Sequence, residues 1–193
     1  VLAFNTPEMF ESHFSIPMTG AILNTINIRL DAQTIAYIFD DSNAKILFVD
    51  RELFSVALEA LSIASVSPKI IVINDSYAIS QPDISSDTVD YESLVDNGDP
   101  LYNWKMPGDE WSPLSLSYTS GTTGKPKGVV YHHRGSYLMS MGTVVGWNLP
   151  SHPVYLYSVP LFHCNGWGHA WTMAALAGTI ICLRSFDPEK VFS

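Results

Sequence analysis

The residues best suited to chemistry lie in the stretch Tyr118-Thr119-Ser120-Gly121-Thr122-Thr123-Gly124-Lys125-Pro126-Lys127-Gly128, where hydroxyls, glycines and two lysines follow one another closely. These residue types in this order make a phosphate cradle. Glycines let backbone N–H groups come close to an anion. Serine and threonine add hydroxyl donors, and lysine supplies a point charge that the fixed φ of Pro126 helps to position. Two better-known phosphate loops are excluded by spacing. The Walker pattern needs a Gly-Lys pair five residues after its first glycine, but Gly121 has Pro126 there and Gly124 has Val129. The dinucleotide fingerprint needs two glycines one residue apart, and Gly121, Gly124 and Gly128 never give that spacing.

A second reactive stretch is Tyr155-Leu156-Tyr157-Ser158-Val159-Pro160-Leu161-Phe162-His163-Cys164-Asn165-Gly166-Trp167-Gly168, which reads as a strand running into a glycine-containing turn and then a helix. Ligand sites often lie at such strand ends. His163-Cys164 with His169 reads either as a zinc half-site, for which the fourth ligand is missing, or as a Cys–His nucleophile pair. Neighbours in sequence rarely face each other as a base and nucleophile must, and a buried structural histidine is the usual alternative. His132-His133 could be metal ligands, yet adjacent helical residues point about 100° apart, which favours a surface role near the phosphate. Met139 and Met141 read as packing residues. No G-x-S-x-G elbow is present, so no serine is a hydrolase nucleophile of that type.

The phosphate stretch closely resembles the signature of the adenylate-forming (AMP-binding) enzymes, the superfamily of acyl-CoA ligases, luciferases and peptide-synthetase adenylation domains. Their pattern runs aromatic-T-S-G-[ST]-T-G-x-P-K-G, and Tyr118–Gly128 matches it at every specified position. The stretch from Pro160 to Trp167 resembles the plant-type acyl-activating version of that superfamily's next motif, and Gly20–Leu30 also has a counterpart there. The resemblance covers essentially the whole chain. It implies ATP and pyrophosphate binding by Thr119, Ser120, Gly121, Thr122, Thr123, Gly124, Lys125 and Lys127. It also implies an acyl-substrate pocket bordered by His163, Gly166 and Trp167, with His163 in the catalytic, substrate-positioning role. The cofactors it implies are ATP, Mg²⁺ and CoA as co-substrate, acting on a small carboxylic acid of the kind met in fatty acid metabolism. Close relatives often carry a cysteine after the tryptophan where this chain has Gly168, so the volume of the acyl pocket is expected to differ.

Composition agrees with a packed, phosphate-binding protein. The chain has 193 residues, 47% of them hydrophobic, enough for a core. Its net charge of −9 argues against a general nucleic-acid or anionic-membrane binder. An acidic protein that binds polyphosphate must concentrate its few cations, and of its 10 basic residues Lys125, Lys127 and Arg134 fall together at the loop. Two cysteines, Cys164 and Cys182, offer no disulfide framework and suggest a reducing compartment. The expected location is cytoplasmic or peroxisomal, without secretion.

The cradle must be held by strands. Leu114–Tyr118 alternates apolar and polar residues, and Gly128–Tyr131 is again extended, so the glycine-rich piece joins two strands. Upstream, Thr6-Pro7-Glu8 opens a helix through about Phe14, and 20–24 is extended. Asp31 caps a helix with Ile35, Ile38 and Phe39 on one face, and Lys45–Val49 is a buried strand. Leu53, Val56, Ala57, Ala60, Leu61 and Ala64 follow helical spacing, and Pro68–Ile73 is a second apolar strand. Apolar strands alternating with amphipathic helices predict an α/β fold with layered, parallel-rich sheets flanked by helices.

The acidic segment 75–110, with a brief helical pattern near 91–95, reads as a surface connection between two subdomains of one lobe. Downstream, 133–147 is predicted helical with Tyr137, Leu138, Met141, Val144 and Val145 as its apolar stripe. The apolar run 170–183 is too short to span a bilayer and reads as buried core. Asp187-Pro188-Glu189 reads as a helix start.

Both ends look cut in sequence. The expectation is that residues 1–193 are a partial, incomplete piece of the large N-terminal lobe of an adenylate-forming enzyme, missing the remainder of its own chain and the C-terminal domain, and inactive alone. A non-catalytic phosphate- or nucleotide-binding protein derived from such an enzyme is the alternative.

Overall fold

The computed structural model describes residues 1–84, 87–119 and 124–192, the Lys190 side chain excepted. In chain order the first elements are α1 (Pro7–Met18), β1 (Leu23–Thr25), α2 (Ala32–Asp41), β2 (Ile46–Asp50), α3 (Phe54–Ile63), β3 (Lys69–Ile73), β4 (Val89–Asp90) and α4 (Tyr91–Asp96). They are followed by β5 (Pro113–Tyr118), β6 (Gly128–His132), α5 (His133–Gly146), β7 (Val154–Tyr157), α6 (His169–Ala175), β8 (Thr179–Cys182) and α7 (Pro188–Phe192). The chain divides into two compact units. One comprises Val1–Ala3, Ile26–Trp104 and Tyr118–Val129, and the other Phe4–Thr25, Lys105–Ser117 and Val130–Ser193.

In the first unit β2, β3 and β4 form a parallel sheet in that order, with Phe48 opposite Ile71 and Ile71 opposite Val89. Parallel neighbours need a crossover, and α3 supplies it between β2 and β3. Ile35, Ile38 and Phe39 of α2 and Phe54, Ala57 and Ala60 of α3 pack with Leu47, Val49 and Val72 into one buried cluster. The helical stripes read from sequence therefore face this core. The Asp31 carboxylate caps α2 by accepting from the Thr34 N–H at 2.7 Å. β4 lies in the acidic segment and was not expected. It is only two residues long, and its Asp90 turns at once into the cap of α4, accepting from the Ser93 N–H at 2.9 Å.

In the second unit β1 pairs in parallel with β5, Leu23 opposite Ser115 and Thr25 opposite Ser117, and the sheet order is β1-β5-β6. β7 and β8 form a separate parallel pair. α1 begins at the expected Thr6 cap and Pro7 but runs on to Met18, past Phe14, with Pro17 inside it. Pro17 has no N–H for the His13 carbonyl one turn back. The Trp171 indole N–H donates to that carbonyl at 3.1 Å, so the last turn survives.

Two expectations about burial are corrected. The buried residues of α5 are Ser136 and Ser140, whereas Tyr137, Leu138 and Val145 are exposed. The packed face is small because it lies close to other backbone: Ser140 Oγ donates to the Ser136 carbonyl at 2.8 Å and reaches the Gly168 carbonyl at 3.4 Å. The run 170–183 is buried only at Ala170, Thr172 and Met173 among its apolar and threonine positions. β8 pairs with β7 in a two-stranded sheet, and Ile181 stays half exposed. Among the described residues no helix is long and apolar enough to cross a membrane.

Candidate functional site

The phosphate stretch is held at its two stems. Tyr118 ends β5, and the next residue, Thr119, donates its backbone N–H to the Lys127 carbonyl at 3.0 Å, just before β6 begins at Gly128. Ser120, Gly121, Thr122 and Thr123 lie outside the described residues. Gly124, Lys125 and Lys127 are exposed.

Tyr118 and Lys125 both meet the C-terminal half of α2. The Tyr118 hydroxyl donates to Asp41 Oδ2 at 2.7 Å, and the Tyr37 hydroxyl reaches Asp41 Oδ1 at 3.3 Å. Burial, then the Asp41 carboxylate, raises the Tyr118 phenol above its ordinary range and keeps it a donor. The Lys125 ammonium sits over the Tyr37 ring, 5.1 Å from its centroid. Tyr37 and Asp41 have no sequence signal as loop partners, because they lie on a helix whose other face carries the pattern.

This donor set suits a polyphosphate: two exposed ammonium groups, Lys125 and Lys127, on a stretch closed by backbone, with hydroxyl-bearing residues preceding them in sequence. Among the described residues no three His, Cys, Asp or Glu side chains gather as metal ligands.

The second stretch forms a turn of unusual hand. Cys164 (φ 47°, ψ 38°), Asn165 (42°, 55°), Gly166 (63°, 28°), Trp167 (57°, 20°) and Gly168 (69°, 1°) are consecutive left-handed residues. The backbone then becomes right-handed in α6. Glycine is at home here, but L-residues are not.

This hand also overturns one sequence argument. Adjacent residues seldom face one another, yet left-handed Cys164 folds its sulfur to within 3.0 Å of His163 Nδ1. Tyr131 lies beside the same thiol, and burial, ahead of Cys164, raises that phenol. His163 and Trp167 are both exposed, and their rings stack with centroids 6.0 Å apart and planes 21° apart. Nδ1 is engaged by the thiol, so Nε2 is the nitrogen left to meet a ligand. Gly166 is buried, and its carbonyl accepts from the Tyr157 hydroxyl.

The other candidate histidines have different work. His132 caps α5, its Nδ1 accepting from the Gly135 N–H at 3.0 Å, and lies against Trp111 at 4.6 Å between centroids. It is therefore not the helical neighbour of His133 that the spacing argument assumed. His169 is buried between Trp147 and Tyr155, at 4.9 and 5.3 Å between centroids, and burial lowers its pKa. It does not join His163 and Cys164 in a group of three metal ligands among the described residues.

Sequence reasoning also missed Asn165, which is 1% exposed. Its Nδ2 donates to Thr25 Oγ1 at 2.9 Å, and its Oδ1 accepts from Ser115 Oγ at 2.9 Å. Thr25 Oγ1 donates in turn to the Phe162 carbonyl at 2.8 Å. Only the tolerance of asparagine for left-handed backbone, beside a glycine, hinted at such a turn.

The class this chain falls into is that of the adenylate-forming enzymes. The chain belongs to the AMP-binding enzyme family, whose model matches residues 1–192.

It is 44% identical over 197 residues to a 2-methylpropanoate–CoA ligase of Humulus lupulus, covering 100% of this chain and 35% of that protein. It is 41% identical over 203 residues to a peroxisomal acetate/butyrate–CoA ligase of Arabidopsis thaliana, covering 100% of this chain and 36% of that one. A peroxisomal trans-cinnamate:CoA ligase of Petunia hybrida is 44% identical over 207 residues, with 100% of this chain and 36% of that protein covered. The chain thus spans little more than a third of these relatives' length.

Among solved structures, a long-chain-fatty-acid–CoA ligase from Archaeoglobus fulgidus superposes with a TM-score of 0.82 at 20% identity, over 97% of this chain and 35% of that one. A luciferase-like enzyme from the mealworm Zophobas morio gives 0.80 at 20% identity, over 98% and 42%. At such identities the likeness shows the fold alone.

Proposed function

We propose that the whole protein carrying this chain is an AMP-forming acyl-CoA ligase. The activity is assigned to the whole protein, and residues 1–193 by themselves are taken as part of its N-terminal lobe and are not expected to form thioester. The observation that carries this reading is the hairpin closed between Thr119 and Lys127, with Lys125 and Lys127 exposed on it, in a chain 41–44% identical to CoA ligases.

A carboxylate is a poor acyl donor because oxide is a poor leaving group. A carboxylate oxygen attacks the α-phosphorus of ATP, the bond to the bridging oxygen breaks and pyrophosphate leaves. The CoA sulfur then attacks the acyl carbon, losing its proton, and AMP departs. In this reading the stretch from Thr119 to Lys125, with Lys127, binds the β- and γ-phosphates by backbone N–H groups, hydroxyls and ammonium charge. Mg²⁺ supplies further neutralisation of the phosphate charge when bound. His163 positions the substrate carboxylate through Nε2, and Gly166 and Trp167 form the pocket wall. Peroxisomal relatives support a peroxisomal location as one of two compartments, the cytoplasm being the other.

ATP–pyrophosphate exchange with acetate, butyrate and trans-cinnamate tests the reading. Lys125→Ala and Ser120→Ala should each lose about 1.5–3 kcal/mol of transition-state stabilisation, on the order of ten- to a hundredfold in exchange rate. Trp167→Ala should reorder the acids while leaving ATP affinity nearly intact. Exchange unchanged in the Lys125 and Ser120 variants would overturn the phosphate assignment, and an unchanged acid order would overturn the pocket wall. Nucleotide binding without exchange for any acid would favour a non-catalytic binding protein.

A further inference from the structure

We infer that Asn165 is a positioning residue for the carboxylate step: its buried amide locks the left-handed turn 164–168 so that His163 and Trp167 are presented as a preformed pair. The inference rests on the roles just proposed for His163 and Trp167.

The turn needs a lock. Five consecutive left-handed residues include three with side chains, Cys164, Asn165 and Trp167. An L-residue in a left-handed helix costs roughly 1–2 kcal/mol relative to the right-handed form. Without compensation the segment would relax toward the right-handed region, turning Trp167 away from His163. Asparagine suits the position twice over. It is among the side chains that enter this backbone region most readily, and its amide can bond in two directions at once.

Both directions are used. The Thr25 hydroxyl has one proton and gives it to the Phe162 carbonyl, at 2.8 Å. Toward Asn165 it can therefore only accept, which fixes the NH₂ end of the amide on Thr25, at 2.9 Å. The carbonyl end is left to accept from Ser115 Oγ at 2.9 Å. Thr25 and Ser115 stand on the paired strands β1 and β5, whose register sets the spacing of the two hydroxyls. Phe162 immediately precedes His163, and Asn165 follows Cys164, so one hydroxyl grips the chain on both sides of the His163–Cys164 contact. All three polar side chains are buried, Thr25 at 3% and Ser115 at 0% exposed. A buried, fully bonded network of this kind favours one arrangement over its neighbours.

The direction of each bond makes the inference testable by protonation. Asn165→Asp keeps shape and backbone preference but sets carboxylate oxygens against the lone pairs of Thr25. Only the protonated acid can donate there as the amide does, and burial raises the pH at which it protonates. Asn165→Gly keeps the left-handed backbone and removes the lock.

The experiment is acid-dependent ATP–pyrophosphate exchange by the whole protein, with acetate, butyrate and trans-cinnamate varied at saturating ATP. Asn165→Gly should lower kcat/KM for the acid on the order of 10- to 100-fold, with KM for ATP nearly unchanged. Relative to the native protein, Asn165→Asp should recover as pH falls. Ser115→Ala, which removes one donor and spares the Thr25 link, should show a smaller loss in the same parameter, and it carries the test if Asn165→Gly does not fold. Native-like acid kinetics in Asn165→Gly, or in Ser115→Ala when that variant stands alone, would overturn the lock. So would a loss shared equally by the acid and ATP parameters. His163→Ala, run alongside, separates the two ideas: if it leaves acid kinetics untouched, the role of His163 itself is wrong, whereas an effect there without one at Asn165 refutes the lock alone.

Discussion

The phosphate hairpin and the left-handed turn solve opposite problems. The hairpin carries its information locally, in glycines, hydroxyls and lysines adjacent in sequence, and its polar supports converge on exposed groups: half-buried Tyr118 and Tyr37 on the exposed Asp41, and the exposed Lys125 over Tyr37. Solvent-facing polar contacts of this sort contribute little each. The turn carries strained backbone and is supported by buried partners far away in the chain. Thr25 is 137 residues from Phe162 and 140 from Asn165. The first arrangement can be encoded by a string of neighbouring residues. The second needs distant strands to hold it.

The sharpest way to break this contrast is to put the same methyl group into both regions. Gly166 has φ +63°, and a Cβ there would collide with the Tyr157 hydroxyl and lie 3.2 Å from Leu161 Cδ2. Gly166→Ala should destabilise by roughly 2–4 kcal/mol, through backbone strain and displaced core atoms together. Gly124 is exposed, and a Cβ there meets nothing within 4 Å. Gly124→Ala should change stability by less than about 0.5 kcal/mol. Denaturant unfolding of the two variants measures the difference, and equal losses would show that the turn is no more constrained than the hairpin.

His13 tests the support beneath the turn. It is buried on α1, with Nδ1 at 2.9 Å from the Met9 carbonyl, so Nδ1 carries the proton and Nε2 is a lone pair with no donor facing it. The Leu161 and Asn165 carbonyls are the nearby backbone groups, and they could accept only from the charged ring. Burial outweighs them and lowers the pKa from 6.5 to about 4. The unfolded chain takes up this proton near pH 6.5 while the folded one does not. Stability is therefore full above that pH and falls as pH drops toward 4, by on the order of 3 kcal/mol. Amide hydrogen exchange across α1 at pH 7 and pH 4.5, for the native chain and His13→Gln, is the measurement. A pH dependence identical in the two would remove His13 from the account.

Much of this molecule can be read from its sequence, and the failures share one cause. The caps at Thr6 and Asp31, the parallel β2–β3 pair and the strand–loop–strand frame of the phosphate stretch are encoded within a few residues of where they act. β4 is not, because two residues become a strand only when Ile71 is there to pair with Val89. The length of α1 depends on Trp171 serving a carbonyl that Pro17 leaves open. The inward face of α5 is serine because close approach to neighbouring backbone outweighs apolar character at that helix. Most instructive is the candidate site itself. His163, Gly166 and Trp167 stand out by motif, but the partnership of Asn165 with Thr25 and Ser115 becomes visible only when distant strands are brought together.

The smallest expected effect lies at the stem of the hairpin. Tyr118→Phe removes the donor to Asp41 but leaves the ring in place, the Thr119–Lys127 closure intact and Tyr37 still beside the carboxylate. Asp41 is exposed, so water replaces the lost hydroxyl, and no buried group is left unpaired. The loss in stability should stay within about 1 kcal/mol. Any functional consequence should fall on ATP and spare the carboxylic acid, as a rise of about two- to fivefold in KM for ATP, comparable to the worth of an exposed polar pair. Asp41→Asn, which keeps an acceptor for Tyr118 but removes the charge, should fall between Tyr118→Phe and the native protein. If Tyr118→Phe instead cost as much stability as Gly166→Ala, or altered the order of acid preference, the hairpin would have to be counted as rigid as the turn.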